Sequence, residues 1–332
     1  MSCTCNNHQS VSNGLKTLSD PSRTLTLRQR FEGALYNRFR WLKGLINTSI
    51  VTNDCFGLNI TNKGTNPDYF SLVVNAGPID KERFAFERDP KKVALFMDWI
   101  REQIDLGILE IYVGQQIGQA TESAWTNLYI QTAYQRGMVR GQQELSNKGY
   151  QVPTFDKLPG GISAAFNRPF HLDKVGLVYT RTFEGLKGIT DEMSKQISRT
   201  LAEGIADGRG PREIARQLNN RVDKIGITRS RLLARTEIIR AHHVATVQMY
   251  ENWGVVGVKV MAEWITAEDG RVCPDCAAMA RKDKGYGKGI YTLAQIGGLI
   301  PFHPNCRCVC IPLDITDNEE LQQKIKDKKE AA

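Results

Sequence analysis

Five side chains near the end of the chain have the types and spacing to do chemistry. Cys273 and Cys276 form a C-P-D-C step, and His303, Cys306 and Cys308 form H-P-N-C-R-C. The whole sequence holds eight cysteines and five histidines, so two such tight clusters are not background. Thiolate sulfur and imidazole nitrogen are the ligands of structural zinc, and C-x2-C facing H-x2-C-x-C has the spacing of such a site. Four ligands close a tetrahedron and five stand here. Cys273, Cys276, His303 and Cys306 are the first choice, Cys308 the substitute, and Cys310 the weakest candidate. Pro274 and Pro304 stiffen the two knuckles. The expected cofactor is therefore a structural Zn2+, which contributes folding energy directly.

A catalytic zinc needs an open coordination position and a general base. Glu268, Asp269 and Asp275 lie close in sequence, but turn formation and helix capping account for them. Asp269 with Arg271 is expected to orient the first knuckle by an ion pair or hydrogen bonds. No catalytic residue is assigned and no enzyme is expected. His242 and His243 read as packing or surface residues of a helix, and Cys55 as a small packing residue. Arg235 and Glu237 read as part of an ion-pair network. Cys3, Cys5 and His8 fall in a short polar terminus that reads as disordered.

The basic residues leave two readings open. Arg209, Arg212 and Arg216 lie within a crowded arginine span, and Arg212 and Arg216 share a helix face. They could contact DNA phosphates without sequence preference, or form a solvated face with the interleaved Glu203, Asp207, Glu213 and Asp223. The formal net charge is +8 and the pI about 9.0, which favours an anionic partner without identifying one.

The elements that must position these residues follow from the apolar periods. A chain of 332 residues, 41% hydrophobic and 24% charged, is long enough for about two domains. No apolar run is long enough to cross a bilayer, and the first ten residues lack the regions of a signal peptide. Synthesis in a cytoplasm is expected, where clustered cysteines hold metal more often than disulfides.

Leu27, Phe31, Leu35, Phe39, Leu42 and Ile46 give one helical stripe, and Val93, Met97, Ile100 and Ile104 give another behind an Asp89–Pro90 start. A short strand is expected at 69–74 and a helix at about 121–145. Thr190, Pro211 and Thr228 mark the starts of three further helices. Val258 to Ile265 alternates as a strand, and 307–311 reads as a closing strand. The expected organisation is a disordered 1–20, a helical domain at 21–150, a Pro/Gly-rich linker at 151–170, a clasped domain at 171–313 and a charged, frayed tail at 314–332. The fold class is a mainly α N-terminal half with an α+β C-terminal domain clasped by a structural zinc site.

The order of motifs in the second half resembles one family. H-L-D-K-V-G-L-V-Y-T-R-T at 171–182 and G-I-T-D-E-M at 188–193 come first. G-P-R-E-I-A-R-Q-L at 210–218, L-L-A-R-T-E-I-I-R-A-H at 232–242 and the two cysteine knuckles follow. Together they are similar to the phage Mu F-like head morphogenesis proteins, minor capsid proteins of tailed bacteriophages. In the N-terminal half the sharpest motif is Y-Q-R-G-M-V-R-G at 134–141. The resemblance implies a low-copy virion protein of the capsid interior, made in the host cytoplasm. It would meet the portal protein through its N-terminal helices, with the major capsid or scaffold protein and double-stranded DNA as further partners and no membrane. Its role would lie in head assembly, DNA packaging or DNA ejection. Members of the family vary at the position of Cys273, which lets Cys308 take its place. Two other readings stand beside it: an ADP-ribosyltransferase-like or metal-dependent enzyme packaged in the virion, and a plain DNA-binding module.

Overall fold

The computed structural model describes residues 20–58, 91–254, 260–315 and 318–330. Cys3, Cys5, His8, the expected strand at 69–74 and the Asp89–Pro90 helix start lie outside the described residues. Among the described residues, the helices are α1 (Leu25–Asn47), α2 (Lys91–Ile104), α3 (Ile117–Ser123), α4 (Asn127–Asn147), α5 (Gly161–Phe166), α6 (Pro169–Ala206), α7 (Pro211–Arg221), α8 (Thr228–Gly254), α9 (Pro274–Arg281), α10 (Leu293–Ile296) and α11 (Glu319–Glu330). Three strands, β1 (Val260–Ile265), β2 (Ile290–Tyr291) and β3 (Val309–Asp314), form an antiparallel sheet in the order β2-β1-β3.

The chain forms two compact units, each assembled from separated segments. Unit 1 comprises 1–31, 126–181 and 234–332, and unit 2 comprises 32–125 and 182–233. The stretch 151–170, expected as a linker, lies inside unit 1, where Phe155–Lys157 forms a 3-10 turn and α5 follows. Its prolines and glycines turn the chain within the unit.

Unit 2 is helical. The α1 residues Leu35, Phe39, Leu42 and Ile46 are fully buried, as their spacing requires, and Met193, Ile197 and Leu201 of α6 are too. Thr190 does not start a helix. Residues before it continue the apolar period through Phe183 and Leu186, and its hydroxyl donates back to the Lys187 carbonyl (2.8 Å). Thr228 likewise follows a π-helical turn, Val222–Ile227, and donates to the Asp223 carbonyl instead of capping. The expected helix at 121–145 is divided: α3 ends at Ser123 and α4 starts at Asn127. Pro211 occupies the first helical turn of α7, as expected.

Unit 1 is built around the 234–254 part of α8. Its apolar stripe holds, but His242, His243, Thr246 and Gln248 are buried as well. A helix surrounded on all sides buries polar positions too, which a single stripe does not reveal. One face of the sheet places Ala262 and Trp264 in a core with Ile239, Val247, Tyr250 and the knuckle cysteines. The other face places Met261 with Tyr286, Leu313, Leu321 and Ile325. The tail is thus an ordered helix, α11. Leu321 and Ile325 seat it on the sheet, Asn318 accepts from the Leu321 amide (3.0 Å), and Glu320 pairs with Lys324 (2.6 Å).

Candidate metal centre

Each knuckle is built by its own local chemistry. Cys273 is the N-cap of α9, with Pro274 at the first turn, and its sulfur accepts from the Cys276 amide (3.4 Å). That bond turns both sulfurs to one side. The second knuckle is a turn in which the Cys306 amide donates to the His303 carbonyl (3.1 Å). Asn305 takes a left-handed conformation there (φ 64°), which asparagine tolerates better than most residues. Its amide lies 3.4 Å from the Thr236 hydroxyl of α8, tying the knuckle to the central helix.

The interval between the knuckles is built of short turns and elements. The Asp283 carboxylate accepts from the amides of Gly285, Tyr286 and Gly287 (2.6, 3.1 and 3.1 Å). Beyond that turn, β2 pairs with β1, and Thr292 caps α10 in a capping box with Gln295.

The structure brings all five predicted ligands together. His303 Nε2 lies 3.1 Å from the Cys273 sulfur and 3.0 Å from the Cys276 sulfur, and Cys276 lies 3.8 Å from Cys306. Two overlapping groups result, Cys273–Cys276–His303 and Cys276–Cys306–Cys308, with ligand atoms within 4.8 Å inside each. Cys276 belongs to both. The four cysteines are buried and His303 is half-buried.

The donors are of the types that a tetrahedral thiophilic cation takes, and they form two groups of three that share Cys276, not one group of four. Zinc–ligand bonds of about 2.3 Å to sulfur and 2.0–2.1 Å to nitrogen imply tetrahedral edges of about 3.8 Å for S···S and 3.6 Å for S···N. The Cys276–Cys306 separation meets the first, and the imidazole, at 3.0 and 3.1 Å, sits about half an ångström inside the second. His303 Nδ1 lies 2.7 Å from the Pro304 carbonyl oxygen, which only accepts. Nδ1 therefore bears the proton, and the Nε2 lone pair faces the sulfurs, as a ligand requires. Hydrogen bonds from Cys276 and Cys308 hold the Cys306 thiol well below its ordinary value, while Cys276 is pushed up by the same coupling and by burial. One thiolate shared by two thiols is a cluster that a cation would strip of protons.

Asp269 orients the clasp, with a partner the sequence reading missed. Its backbone turn closes through the Val272 amide, and its carboxylate accepts from the Arg271 amide (3.0 Å) and side chain (3.2 Å). The shorter bonds come from Arg307, whose two terminal nitrogens each lie 2.6 Å from a carboxylate oxygen. Arg307 sits between Cys306 and Cys308, so this fork joins the two knuckles. Its bonds hold the Asp269 carboxyl well below the usual range. The signal was present in the C-R-C step: alternation points an arginine away from two sulfurs that point inward.

The other candidates are dispersed. Arg209 pairs with Asp207 (2.7 Å) and Gln217 (2.5 Å), and Arg216 makes a fork on Glu213 (2.6 and 2.8 Å). Arg212 is exposed on the same helix, α7. Glu237 is buried and pairs with Arg181 (3.2 Å) and Arg240 (3.1 Å). Cys310 belongs to neither ligand group and lies 3.6 Å from His243 Nδ1, whose Nε2 meets the Ile296 carbonyl (2.9 Å). Burial keeps that thiol protonated, pushed up to about 12.

A small antiparallel sheet docked on a long central helix and pinned at two cysteine knuckles defines the class of this site. The family described as Phage Mu protein F like protein matches residues 195–311, about a third of the chain. Over that stretch the chain resembles Mu F-like phage proteins. The match runs from the later part of α6 into β3 and includes all five clustered ligands, whereas the 171–182 and 188–193 motifs precede it. Comparison with curated proteins and with solved structures returns no match. Among the described residues no helix is long and apolar enough to cross a membrane.

Proposed function

We propose that this chain is a minor head protein of a tailed bacteriophage, a non-enzymatic scaffold part whose C-terminal sheet is locked by one structural Zn2+. The observation behind this reading is that five soft ligands converge within the segment that matches the Mu F-like family. Cys273, Cys276, His303 and Cys306 hold the ion, with Cys308 able to replace Cys273. The ion would supply cross-linking of the two knuckles. The residues around it favour that over catalysis, since the sulfurs are buried and face one another.

The protein acts inside the virion, at the portal vertex, in head assembly, DNA packaging or ejection. Its partners are the portal protein and other capsid components. Non-specific duplex contact through Arg212 and its neighbours is a secondary feature. Two experiments test the reading. Metal analysis of purified protein yields about one zinc per chain, and chelation exposes residues 266–312 to protease; metal-free protein with an unchanged cleavage pattern refutes the clasp. Crosslinking in purified virions captures the chain with portal protein; its absence from virions refutes the head assignment.

A further inference from the structure

The Y-Q-R-G-M-V-R-G segment at 134–141 has no part in the clasp, yet α4 gives it two distinct faces. Gly137 and Gly141 lie against α8. A Cβ at Gly137 would collide with the His242 carbonyl oxygen, and one at Gly141 would come 2.7 Å from the Met249 Cβ. The Thr246 hydroxyl donates to the Gly137 carbonyl (3.1 Å) across the same contact. Only glycine permits this approach. The adjoining face presents Arg136 and Arg140, one helical turn apart.

Both arginines border a cavity of about 840 Å³ within unit 1, shared with the Asp20–Arg23 turn and with Ile265–Glu268 beyond β1. His242 borders it too. That side chain is only 4% exposed. It also borders a chamber of about 10 Å³, room for about one water molecule.

The charges in the wall are unequally committed. Asp20 is consumed within the protein by Arg28 (2.9 Å) and by the amides of Thr24 and Leu25 (2.9 and 2.8 Å). Glu144 is consumed by Arg140 (2.7 Å) and the Tyr250 hydroxyl. Arg23 and Arg136 are exposed cations with no carboxylate partner among the described residues, against the single exposed Glu268. Val139, Ile162 and Ile265 add apolar wall. Guanidinium groups beside an apolar surface suit an anionic head on a flat or apolar body. The volume falls in the range of small-molecule sites, about 300–1,000 Å³.

We propose that this cavity binds a phosphate-bearing nucleotide unit, with Arg136 and Arg23 on the phosphate and His242 as the buried hydrogen-bond partner. The unit is either a free mononucleotide or the terminal nucleotide of a DNA strand. The inference is independent of the metal reading.

The test is equilibrium binding to the full, metal-replete chain at low salt. The probes are thymidine 5′-monophosphate, inorganic phosphate, and a ten-residue oligothymidylate with and without a 5′-phosphate. The monophosphate should bind and inorganic phosphate bind at least tenfold more weakly. R136A, an exposed position that leaves the fold intact, should weaken the monophosphate tenfold or more, and R23A should weaken it further. Metal content and circular dichroism should stay unchanged in both variants. H242Q should weaken binding too, but R136A decides the matter if that buried variant does not fold. Preference for the 5′-phosphorylated oligomer over the monophosphate identifies a strand end as the source, and the reverse preference identifies free nucleotide. Three results overturn the proposal: no probe bound at millimolar concentration, binding indifferent to R136A, or equal binding of both oligomers with none of the monophosphate.

Discussion

Consider the pair that joins the knuckles. Asp269 is 7% exposed at its side chain and Arg307 17%, so water screens their fork only weakly. Charge-assisted hydrogen bonds contribute about 1.5–3 kcal/mol each, and breaking a buried pair costs about 3–5 kcal/mol. Partial exposure of Arg307 lowers the expectation for D269A to about 2–4 kcal/mol, with a coupling energy to Arg307 of about 2 kcal/mol. The assay is a double-mutant cycle on the full chain, D269A, R307A and both, with urea titrations read by hydrogen exchange in β1 and β3. The pH dependence supplies a second check. The carboxyl is depressed in the folded chain, so its contribution is complete above its unfolded pKa of about 3.9 and fades as pH falls through the folded value. The gap between D269N and the native chain should therefore narrow below about pH 4. A coupling energy under about 0.5 kcal/mol, the level of exposed ion pairs, would refute the argument.

Other substitutions separate the remaining ideas. C276S should abolish metal retention because Cys276 belongs to both ligand groups, whereas C310S should leave it intact; metal content per chain reports both. G137A should lose about 1–2 kcal/mol, because overpacking against α8 costs about 1–3 kcal/mol and outweighs a helix-propensity gain of about 1 kcal/mol. G33A, with open space around it on α1, should instead gain up to about 1 kcal/mol; thermal melts of the two variants give the comparison. Burial lowers His171 to about 4 and His242 to about 3, so the unfolded chain binds protons that the folded chain refuses. Stability should fall by about 1.4 kcal/mol per pH unit for each of them as pH drops from about 6.5 toward those values. Unfolding titrations of H171Q and H242Q should each show a shallower acid slope by one proton.

Local chemistry was the legible part of this chain. The α1 stripe, Pro211, the β1 alternation and the clustering of the two cysteine knuckles all act through neighbours in sequence, and each stands where the pattern put it. What was hidden depends on contacts between distant segments. Thr190 looks like a cap until a buried Phe183–Leu186 period extends the helix before it. Whether His242 packs or faces solvent is open until α8 is seen enclosed. The Asp269–Arg307 fork spans 38 positions, and no local period encodes it. The tail read as frayed because charge dominates it, yet two apolar residues one turn apart suffice to dock it on the sheet.

The route of the chain through unit 1 has a consequence for biogenesis. The Asp20 turn, the Phe31–Tyr129 stack and the sheet ending at Asp314 belong to one compact unit, assembled from segments made at different moments of translation. A ribosome releases the first of them long before the last, so the segment 20–31 must wait, partly unsatisfied, for the rest of its unit. Early-terminated products would lack not a removable module but the last segment of a unit already begun, leaving sticky intermediates for chaperones or proteases to clear.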